Sequence, residues 1–218
     1  MRVLVLGASG PSGERIVERA LAAGHRVTAL ARNPASVGVE HTALDVVQGD
    51  VLDSAALRPA VVEQEAVVWA VGGHDIVRRV ARREPRQPNL CARGTANALR
   101  AMEDAGVSRF VCQSSWGVGD SFTRAALPIR LFVFGLIMSG ELADKEAQEA
   151  LVLDSAVEWT IIRPTRLTDD PGSGRYRAAP GLGLPLGAHI SRADVADLVV
   201  RELGERRFLR QVIEVTSA

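Results

Sequence analysis

The stretch VLVLGASGPSGERI, from Val3 to Ile16, decides the fold of this chain. It begins as a short apolar run typical of a buried strand and continues with helical periodicity. Glycines in the turn between them allow a tight bend and a close approach of the backbone to phosphates, while the helix N-terminus supplies unpaired N–H groups. The stretch therefore predicts a loop that holds the pyrophosphate of a dinucleotide, with a purely structural turn as the alternative. The predicted contacts are Gly7, Ser9, Gly10, Pro11, Ser12 and Gly13, and the glycines are spaced G-x-x-G-x-x-G.

The rest of the chain repeats this strand-then-helix pattern, which predicts an α/β protein with a doubly wound, mostly parallel sheet. Gly24 and Gly106 stand where left-handed helix C-caps are expected. The Gly- and Pro-rich segment 168–188 is predicted to be an irregular loop over the carboxyl edge of the sheet, where open α/β folds bind ligands. The predicted strands are Arg2–Leu6, Arg26–Ala31, Val46–Gln48, Ala66–Ala70, Arg109–Cys112, Trp159–Ile162 and Gln211–Val215. The predicted helices are Ser12–Ala23, Ser54–Val62, a long one ending near Ala105, Glu141–Ser155 and Arg192–Leu203.

Length and composition are those of an ordinary globular domain. At 218 residues the chain suits one core, so we expect residues 1–218 to form a single domain. With 47% hydrophobic and 24% charged residues, it lies outside the disordered and fibrous classes. The 26 basic and 26 acidic residues cancel, so no overall field favours nucleic acid or an anionic bilayer. Cys91 and Cys112 lack the spacing of metal ligands and are expected to be buried free thiols.

Two apolar runs bear on location. The first run ends at Gly7 and leaves no room for the hydrophobic region of a signal peptide. The other, LFVFGLIM from Leu131 to Met138, is far shorter than the roughly 20 residues that a membrane span needs. We therefore expect a cytoplasmic location, no membrane span and no nucleic-acid partner.

The end of the second predicted strand bears on the choice of dinucleotide. An acidic side chain there would bind the ribose 2′-hydroxyl, whereas an arginine would accommodate a 2′-phosphate. The strand ends in ALARNP, with Arg32 and Asn33 at this position. Because a guanidinium pairs well with phosphate, the sequence favours NADP (NADPH) over NAD. A solvated surface arginine is the alternative.

The third and fourth predicted strands also end in candidate cofactor contacts. In QGDVLD, Asp50 can accept from the adenine amino group and the backbone at Val51 can face the ring. The alternative is an aspartate that caps the next helix, a role that Asp53 fits better than Asp50. In WAVGG, the small residues Ala70, Val71 and Gly72 permit a close approach of the cofactor.

The chain resembles the atypical short-chain dehydrogenase/reductases, the NAD(P)H-binding group that includes the biliverdin and flavin reductases and the NmrA-like proteins. The pieces that carry the resemblance occur in family order and cover nearly the whole chain. They are GASGPSG, ARNP, GDVLD, GTANALRAMEDAGVSRFVCQSS, EWTIIRPTRLTDDPGSGRY and ISRADVADLVV. The resemblance implies a Rossmann domain with a nicotinamide bound over the sheet. It also implies a small C-terminal substrate region, to which residues 116–140 and 164–190 are expected to contribute.

The resemblance also implies roles for single residues. Lys145 matches the family lysine that binds the nicotinamide ribose, although surface pairs with Glu141 and Glu149 are an alternative role. Ser115 matches the catalytic serine, although its hydroxyl could equally cap the following turn, and Ser114 beside it is a candidate cofactor contact. Pro164 and Thr165 stand where the family backbone touches the nicotinamide amide. The usual catalytic tyrosine is absent from its place, since the single tyrosine, Tyr176, lies in the predicted loop.

A dinucleotide site without that tyrosine is consistent with an NADPH-dependent oxidoreductase that transfers hydride to a conjugated acceptor such as a flavin, a quinone or a linear tetrapyrrole. A non-catalytic NADP-binding redox sensor of the NmrA-like kind is the alternative, and a biosynthetic isomerase or dehydratase is a third. The segment LPIRLFVFGLIM allows three interpretations: an apolar wall for the acceptor, a buried part of a helix, or a homodimer patch through residues 127–138. Arg124 and Arg130, at its flanks, are candidates for an acidic group of the substrate.

Overall fold

The computed structural model of the chain describes residues 1–72, 88–124, 138–185 and 187–218. Strands and short turns alternate with helices along these residues, as the sequence pattern predicts. The strands are β1 (Arg2–Leu6), β2 (Arg26–Ala31), β3 (Leu44–Gln48), β4 (Ala66–Trp69), β5 (Arg109–Gln113), β6 (Glu158–Pro164), β7 (Arg166–Thr168), β8 (Tyr176–Ala179), β9 (His189–Ser191) and β10 (Gln211–Ser217). The helices are α1 (Pro11–Ala22), α2 (Ser54–Val61), α3 (Leu90–Ala105), α4 (Asp120–Arg124), α5 (Ser139–Asp154) and α6 (Arg192–Glu205).

The main sheet has eight strands in the order β3-β2-β1-β4-β5-β6-β10-β8. All neighbouring pairs in it are parallel except β10 with β8. The chain order reverses between β1 and β4, which is the switch point where doubly wound sheets bind ligands. Strands β7 and β9 form a separate two-stranded sheet. The prediction of a doubly wound, mostly parallel Rossmann fold is confirmed.

Helices cover both faces of the sheet. On one face α1 and α6 pack against alternate residues of β1, β2 and β10, with Val3, Ile16 and Val199 in the same apolar cluster. On the other face α2, α3 and α5 pack around Trp69, which is fully buried. Because both faces are covered, the central strands β1, β4 and β5 are apolar along most of their length. No helix in the described ranges is long and apolar enough to cross a membrane.

The predicted strands and helices are confirmed to within a few residues, and so are the left-handed glycines Gly24 and Gly106, whose φ angles are +80° and +70°. The prediction of an irregular loop over residues 168–188 is wrong in part. Tyr176–Ala179 pairs antiparallel with β10, and Thr168 ends β7. The strand YRAA is short and carries no alternating pattern, so its pairing with β10 rather than its own sequence defines it.

Helix α3 is capped by a residue of another helix. Its preceding residue, Asn89, has a φ of +57° and makes no side-chain cap. Asp144 of α5 takes that role, because its carboxylate accepts from the amides of Cys91 and Ala92 at 2.9 Å each. One turn further along α5, Gln148 donates to the hydroxyl of Thr95 at 2.7 Å. These bonds fix the register between α3 and α5.

Candidate functional site

The turn after β1 presents two open amides at the start of α1. Gly10 is the N-cap residue and makes no side-chain cap, and its own amide donates to the carbonyl of Gly7 at 3.0 Å. Pro11 has no N–H, and the amide of Glu14 already donates to the carbonyl of Gly10. The amides of Ser12 and Gly13 are therefore the first-turn donors that the helix itself leaves without an acceptor. Two adjacent N–H groups at a helix N-terminus suit a phosphate.

Close packing of backbone explains why glycines stand in this turn. A Cβ atom on Gly13 would lie 2.1 Å from the carbonyl oxygen of Gly7. Gly7 has a φ of +87°, and a Cβ there would lie 2.7 Å from the amide nitrogen of Val71. The turn is thus pressed against the end of β4, where Ala70, Val71 and Gly72 follow Trp69. This contact brings two of the predicted cofactor-binding segments together.

Arg32 follows β2 at the carboxyl edge of the sheet. Its side chain is exposed, and it makes no hydrogen bond or ion pair with any residue that the structure describes. Asn33, also exposed, accepts from the amide of Ala35 at 3.2 Å and caps a short 3-10 turn, Pro34–Ser36. The guanidinium of Arg32 is therefore available for an anion, whereas the side chain of Asn33 is used in the turn.

The two aspartates after β3 have local roles. Asp53 caps α2 by accepting from the amide of Ala55 at 2.8 Å, as its position predicts. Asp50 accepts from the amide of Leu52 at 2.9 Å and so shapes the turn beyond the strand. Val51 is 8% exposed, and its carbonyl accepts from Asn97 at 3.1 Å. The adenine contacts expected at Asp50 and Val51 remain predictions.

The end of β5 joins three of the predicted site residues. The side-chain amide of Gln113 donates to the hydroxyl of Ser12 at 3.3 Å. The main-chain carbonyl of Gln113 accepts from Lys145 Nζ at 3.4 Å. Ser115 is partly exposed, and its hydroxyl donates to the carbonyl of Trp116 at 3.1 Å. The turn after β1 and Lys145 thus meet at Gln113, two residues before Ser115 at the same edge of the sheet, and the sequence reasoning did not select Gln113.

Ser114 and Glu149 are both buried, and they contact each other. The Ser114 hydroxyl donates to Glu149 Oε1 at 2.5 Å, and Glu149 also pairs with Arg163 at 2.6 Å. The alternative role of Lys145 was to form surface pairs with Glu141 and Glu149. The pair with Glu149 is wrong, because Glu149 is buried and pairs with Arg163. Glu149 is 3% exposed and faces the sheet, where Arg163 neutralises it.

The last predicted backbone contacts lie beside β10. The Pro164 carbonyl accepts from the amide of Trp116 at 3.0 Å, which ties the end of β6 to the residue after Ser115. The amide and the hydroxyl of Thr165 both bond to the carbonyl of Val215, at 3.1 and 3.3 Å. These bonds hold residues 164–165 rigidly beside the end of β5.

A small apolar cluster lies next to Ser115. Val118 and Leu142 are buried in it, with Trp116, Phe122 and Met138 packed around them. The rest of the segment predicted as an apolar wall or dimer patch, residues 127–137, lies outside the described residues, and so does Arg130. Arg124 is engaged with Asp120 at 2.9 Å and with Glu214, so the expectation that it meets a substrate group is wrong.

Both cysteines are buried free thiols, as predicted. Burial raises the pKa of the Cys112 thiol, and burial also raises the pKa of Cys91 in spite of the nearby charge of Lys145. Because the thiolate is the nucleophilic form, neither cysteine suits nucleophilic catalysis at neutral pH.

Residues 7–206 match the model of a family described as NAD(P)H-binding. The chain belongs to this NAD(P)H-binding family. A relative along the whole sequence is an uncharacterized chloroplastic protein of Arabidopsis thaliana, 30% identical over 99% of this chain and 76% of its own length. The predicted resemblance to atypical short-chain dehydrogenase/reductases is confirmed.

Solved structures of similar fold include two with informative descriptions. The short-chain dehydrogenase/reductase of Veillonella parvula, solved in complex with NADP, has a TM-score of 0.80 at 19% identity, over 98% of this chain and 93% of that one. The anaerobillin reductase ChuY of Escherichia coli O157:H7 has a TM-score of 0.79 at 22% identity, over 100% of this chain and 97% of that one. At these identities the likeness shows the fold.

In this NAD(P)H-binding chain the single tyrosine is held away from Lys145. Tyr176 lies in β8, and its hydroxyl donates to Asp197 of α6 at 2.8 Å. Burial, together with the hydrogen bond and the charge of Asp197, raises the pKa of Tyr176 to about 12. The phenol is therefore neutral at physiological pH and is occupied by a carboxylate.

A titration tests this description of Tyr176. Because the chain has one tyrosine, tyrosinate absorbance in the ultraviolet reports this residue alone. We expect a midpoint near pH 12 in the folded protein, and a midpoint closer to the ordinary 10 in Asp197→Asn. Since the folded pKa exceeds the unfolded one, the associated stability is full below pH 10 and is lost as pH rises through 12. A wild-type midpoint near 10 would contradict the contact.

Proposed function

We propose that the chain is an NADPH-dependent reductase that transfers hydride to a conjugated, largely apolar acceptor. The observation that carries the proposal is the convergence of the open amides of Ser12 and Gly13 with Lys145 and Ser115 at one edge of the sheet. Membership of the NAD(P)H-binding family supports a nicotinamide cofactor. The reductase description of ChuY supports the reaction class.

The residues present fit the dinucleotide. The turn has no space for a Cβ at Gly7 or Gly13. The amides of Ser12 and Gly13 lie at the N-terminus of α1, and Rossmann folds bind a pyrophosphate at the corresponding helix N-terminus. The guanidinium of Arg32 has no partner among the residues that the structure describes, and this supports NADPH over NADH, because a 2′-phosphate gives it a bidentate anionic partner. The NADP complex of the Veillonella parvula protein supports the same choice.

When bound, NADPH supplies a hydride from its nicotinamide ring. The protein's own contribution is to orient the reactants and to exclude water. Lys145 would bind the nicotinamide ribose, a role supported by its contact with the main-chain carbonyl of Gln113 at the end of β5. The bond of Pro164 to Trp116 and the bonds of Thr165 to β10 would support one side of the ring.

The side chains around Ser115 favour an acceptor that needs little acid catalysis. Tyr176 is bonded to Asp197 and is not placed beside Lys145, so no phenol supplies a proton there. Within the part of the chain that the structure describes, the Ser115 hydroxyl is bonded to the adjacent carbonyl of Trp116 alone. A hydroxyl can exchange such a partner for an acceptor oxygen by rotating about its C–O bond. A flavin, a quinone or a linear tetrapyrrole takes hydride into a conjugated system and draws its proton from solvent. The apolar cluster around Trp116 and Phe122 suits such planar molecules.

Consumption of NADPH, followed by its absorbance, tests the proposal against a panel of flavins, quinones and biliverdin. We expect turnover with at least one acceptor and a kcat about threefold to tenfold lower in Ser115→Ala, the value of one neutral hydrogen bond. Ser155→Ala is the matched control, because that hydroxyl also donates to a main-chain carbonyl, Val152 O at 2.6 Å, but at the far end of α5. It should leave kcat unchanged.

A non-catalytic NADP-binding regulator is the second candidate, favoured by the absence of the phenol from the side of Lys145. If the chain binds NADPH tightly and oxidises it with none of the acceptors, the regulator and not the reductase is the supported function. Equal loss of turnover in the Ser115 and Ser155 variants would remove the role proposed for Ser115.

A further inference from the structure

Five charged side chains form a network behind the end of β5. We call this network the Glu149 cluster; its members are Glu149, Arg163, Asp120, Arg124 and Glu214. Arg163 is its centre, since its guanidinium reaches Glu149 Oε2 at 2.6 Å, Asp120 Oδ1 at 2.6 Å and Glu214 Oε1 at 3.9 Å. Burial opposes the charge of Arg163, but the hydrogen bonds and charges of Glu149 and Asp120 outweigh it and raise its pKa. The arginine is therefore permanently charged.

Glu149 accepts three hydrogen bonds from two partners. Its Oε1 accepts from Arg163 Nε at 3.0 Å and from the hydroxyl of Ser114 at 2.5 Å, and its Oε2 accepts from Arg163 Nη2. The side chains of Glu149 and Arg163 are only 4% and 5% exposed. The carboxylate is thus a fixed bridge between helix α5, strand β6 and the residue before Ser115.

Stability alone does not account for a charged bridge at this place. Burying an ion pair is costly, and well-packed apolar residues of similar volume often stabilise a fold as well or better. The same fold contains a comparison, Arg109 with Glu202, which lies at the opposite edge of the sheet and is just as buried. What distinguishes the Glu149 cluster is its location around Ser114.

The bridge also sets the position of the ribose-binding lysine. Lys145 lies one turn before Glu149 on α5, and its Nζ reaches the carbonyl of Gln113. Gln113 and Ser114 are thus both held by α5, one through its main chain and the other through its hydroxyl. Asp120 extends the network to α4, and Glu214 extends it to the amide of Leu182 at 3.0 Å.

We propose that Glu149 is a positioning residue for the nicotinamide half of the dinucleotide, which it serves by holding Ser114 and the Lys145 turn of α5 in register at the end of β5. This inference rests on the proposed function. It predicts that Glu149 affects binding of the nicotinamide riboside and not binding of the adenosine half, which the residues after β1 and Arg32 would hold.

The variant Glu149→Gln keeps the size of the side chain, but one of its two acceptor oxygens becomes a donor NH2 group. An amide has one acceptor oxygen, and both oxygens of Glu149 accept from Arg163, so the new NH2 group faces the guanidinium in either orientation. A donor facing Arg163 repels it, and in either orientation one bond of the bridge is lost. The link between α5 and β6 is then weakened, and with it the anchor shared by Ser114 and the turn that carries Lys145.

The experiment compares two ligands by calorimetry: NADPH, and adenosine 2′,5′-bisphosphate, which lacks the nicotinamide riboside. Glu149→Gln should weaken NADPH binding about fivefold while leaving the bisphosphate within about twofold, and should change the fluorescence of the bound nicotinamide. Glu202→Gln is the matched control, because Glu202 is 1% exposed and pairs with Arg109 at 3.7 Å. It should lower the melting temperature and leave the ratio of the two affinities unchanged.

A double-mutant cycle with Ser114→Ala separates positioning from direct contact. If Glu149 acts through Ser114, the two substitutions together should weaken NADPH binding no more than Glu149→Gln alone, whereas independent contacts would add. Ser114→Ala removes only a hydroxyl, so it carries the test by itself if Glu149→Gln does not fold, with a twofold to threefold loss expected for NADPH alone.

The outcomes separate this inference from the proposed function. Binding of NADPH by the wild-type chain, with equal losses for both ligands or none in Glu149→Gln, would overturn the inference and leave the proposed function intact. Failure of the wild-type chain to bind NADPH would overturn both. A selective loss for NADPH that Glu202→Gln does not reproduce would support the inference whether or not an acceptor has been found.

Discussion

Replacing Gly13 by alanine is expected to abolish tight dinucleotide binding and to destabilise the fold. The new Cβ would meet the carbonyl oxygen of Gly7 at 2.1 Å and its carbonyl carbon at 2.7 Å. These are backbone atoms of a turn already pressed against β4, so no side chain can move aside. We expect a loss of about 3 kcal/mol or more in the free energy of unfolding, at the upper end of the range for overpacking. Denaturant titration measures it.

The same substitution should displace the open amides of residues 12 and 13. Each hydrogen bond to a charged phosphate is worth about 1.5–3 kcal/mol, so loss of both predicts an affinity for NADPH lower by about a hundredfold or more. Calorimetry on the folded fraction measures this loss. A Gly13→Ala variant that binds NADPH as the wild type does would show that the turn is not the phosphate site.

Gly204→Ala is the matched control for this prediction. Gly204 lies in the last turn of α6, it is exposed, and a Cβ there would meet nothing within 4 Å. Alanine is the better helix former by up to about 1 kcal/mol, so this variant should be as stable as the wild type or more so. The contrast between the two glycines isolates the steric effect from the general effect of adding a methyl group.

Replacing Arg32 by alanine should remove the preference for NADPH. The exposed guanidinium makes no ion pair within the described residues, so its removal leaves no buried partner behind and should not disturb the fold. A charge-assisted bond to a phosphate is worth about 1.5–3 kcal/mol, which predicts NADPH affinity lower by about tenfold to a hundredfold and NADH affinity within about twofold of the wild type. Calorimetric titration with the two dinucleotides measures the difference.

The opposite end of the same strand supplies the control for Arg32. Arg26 is the first residue of β2 and is also exposed, but it lies at the amino edge of the sheet. Arg26→Ala changes the net charge equally, and it should alter neither affinity beyond the weak effect of distant charge in salt. Equal losses for NADPH and NADH in Arg32→Ala, or no loss for either, would show that Arg32 does not read the 2′-phosphate.

The sequence predicts most of this fold because the central strands are buried on both faces. Runs such as those of β1, β4 and β5 stand out without any alternation, and the helices between them carry a clear period. Strand β8 escapes prediction because its four residues, Tyr176–Ala179, derive their conformation from pairing with β10. Contacts between segments far apart in sequence leave no local pattern.

In the candidate site, too, some residues can be predicted from local sequence and others depend on contacts between distant segments. The glycine turn and Arg32 can be predicted because each depends on residues adjacent in sequence. Glu149 and Arg163 cannot, since each looks like an ordinary surface charge until the fold brings α5 against β6. One signal was available: Leu142, Lys145, Glu149 and Val152 lie on one stripe of α5, and both ends of that stripe are apolar and buried. A charged residue inside such a stripe indicates a partner in the core.

The carboxylate of Asp144 at the start of α3 has a consequence for synthesis of the chain. The amides of Cys91 and Ala92 find their acceptor more than fifty residues later, after α4 and β5 have been made. During translation of the intervening segment, those two amides have only water as an acceptor. We therefore expect the first turn of α3 to close only after α5 has left the exit tunnel and docked against it.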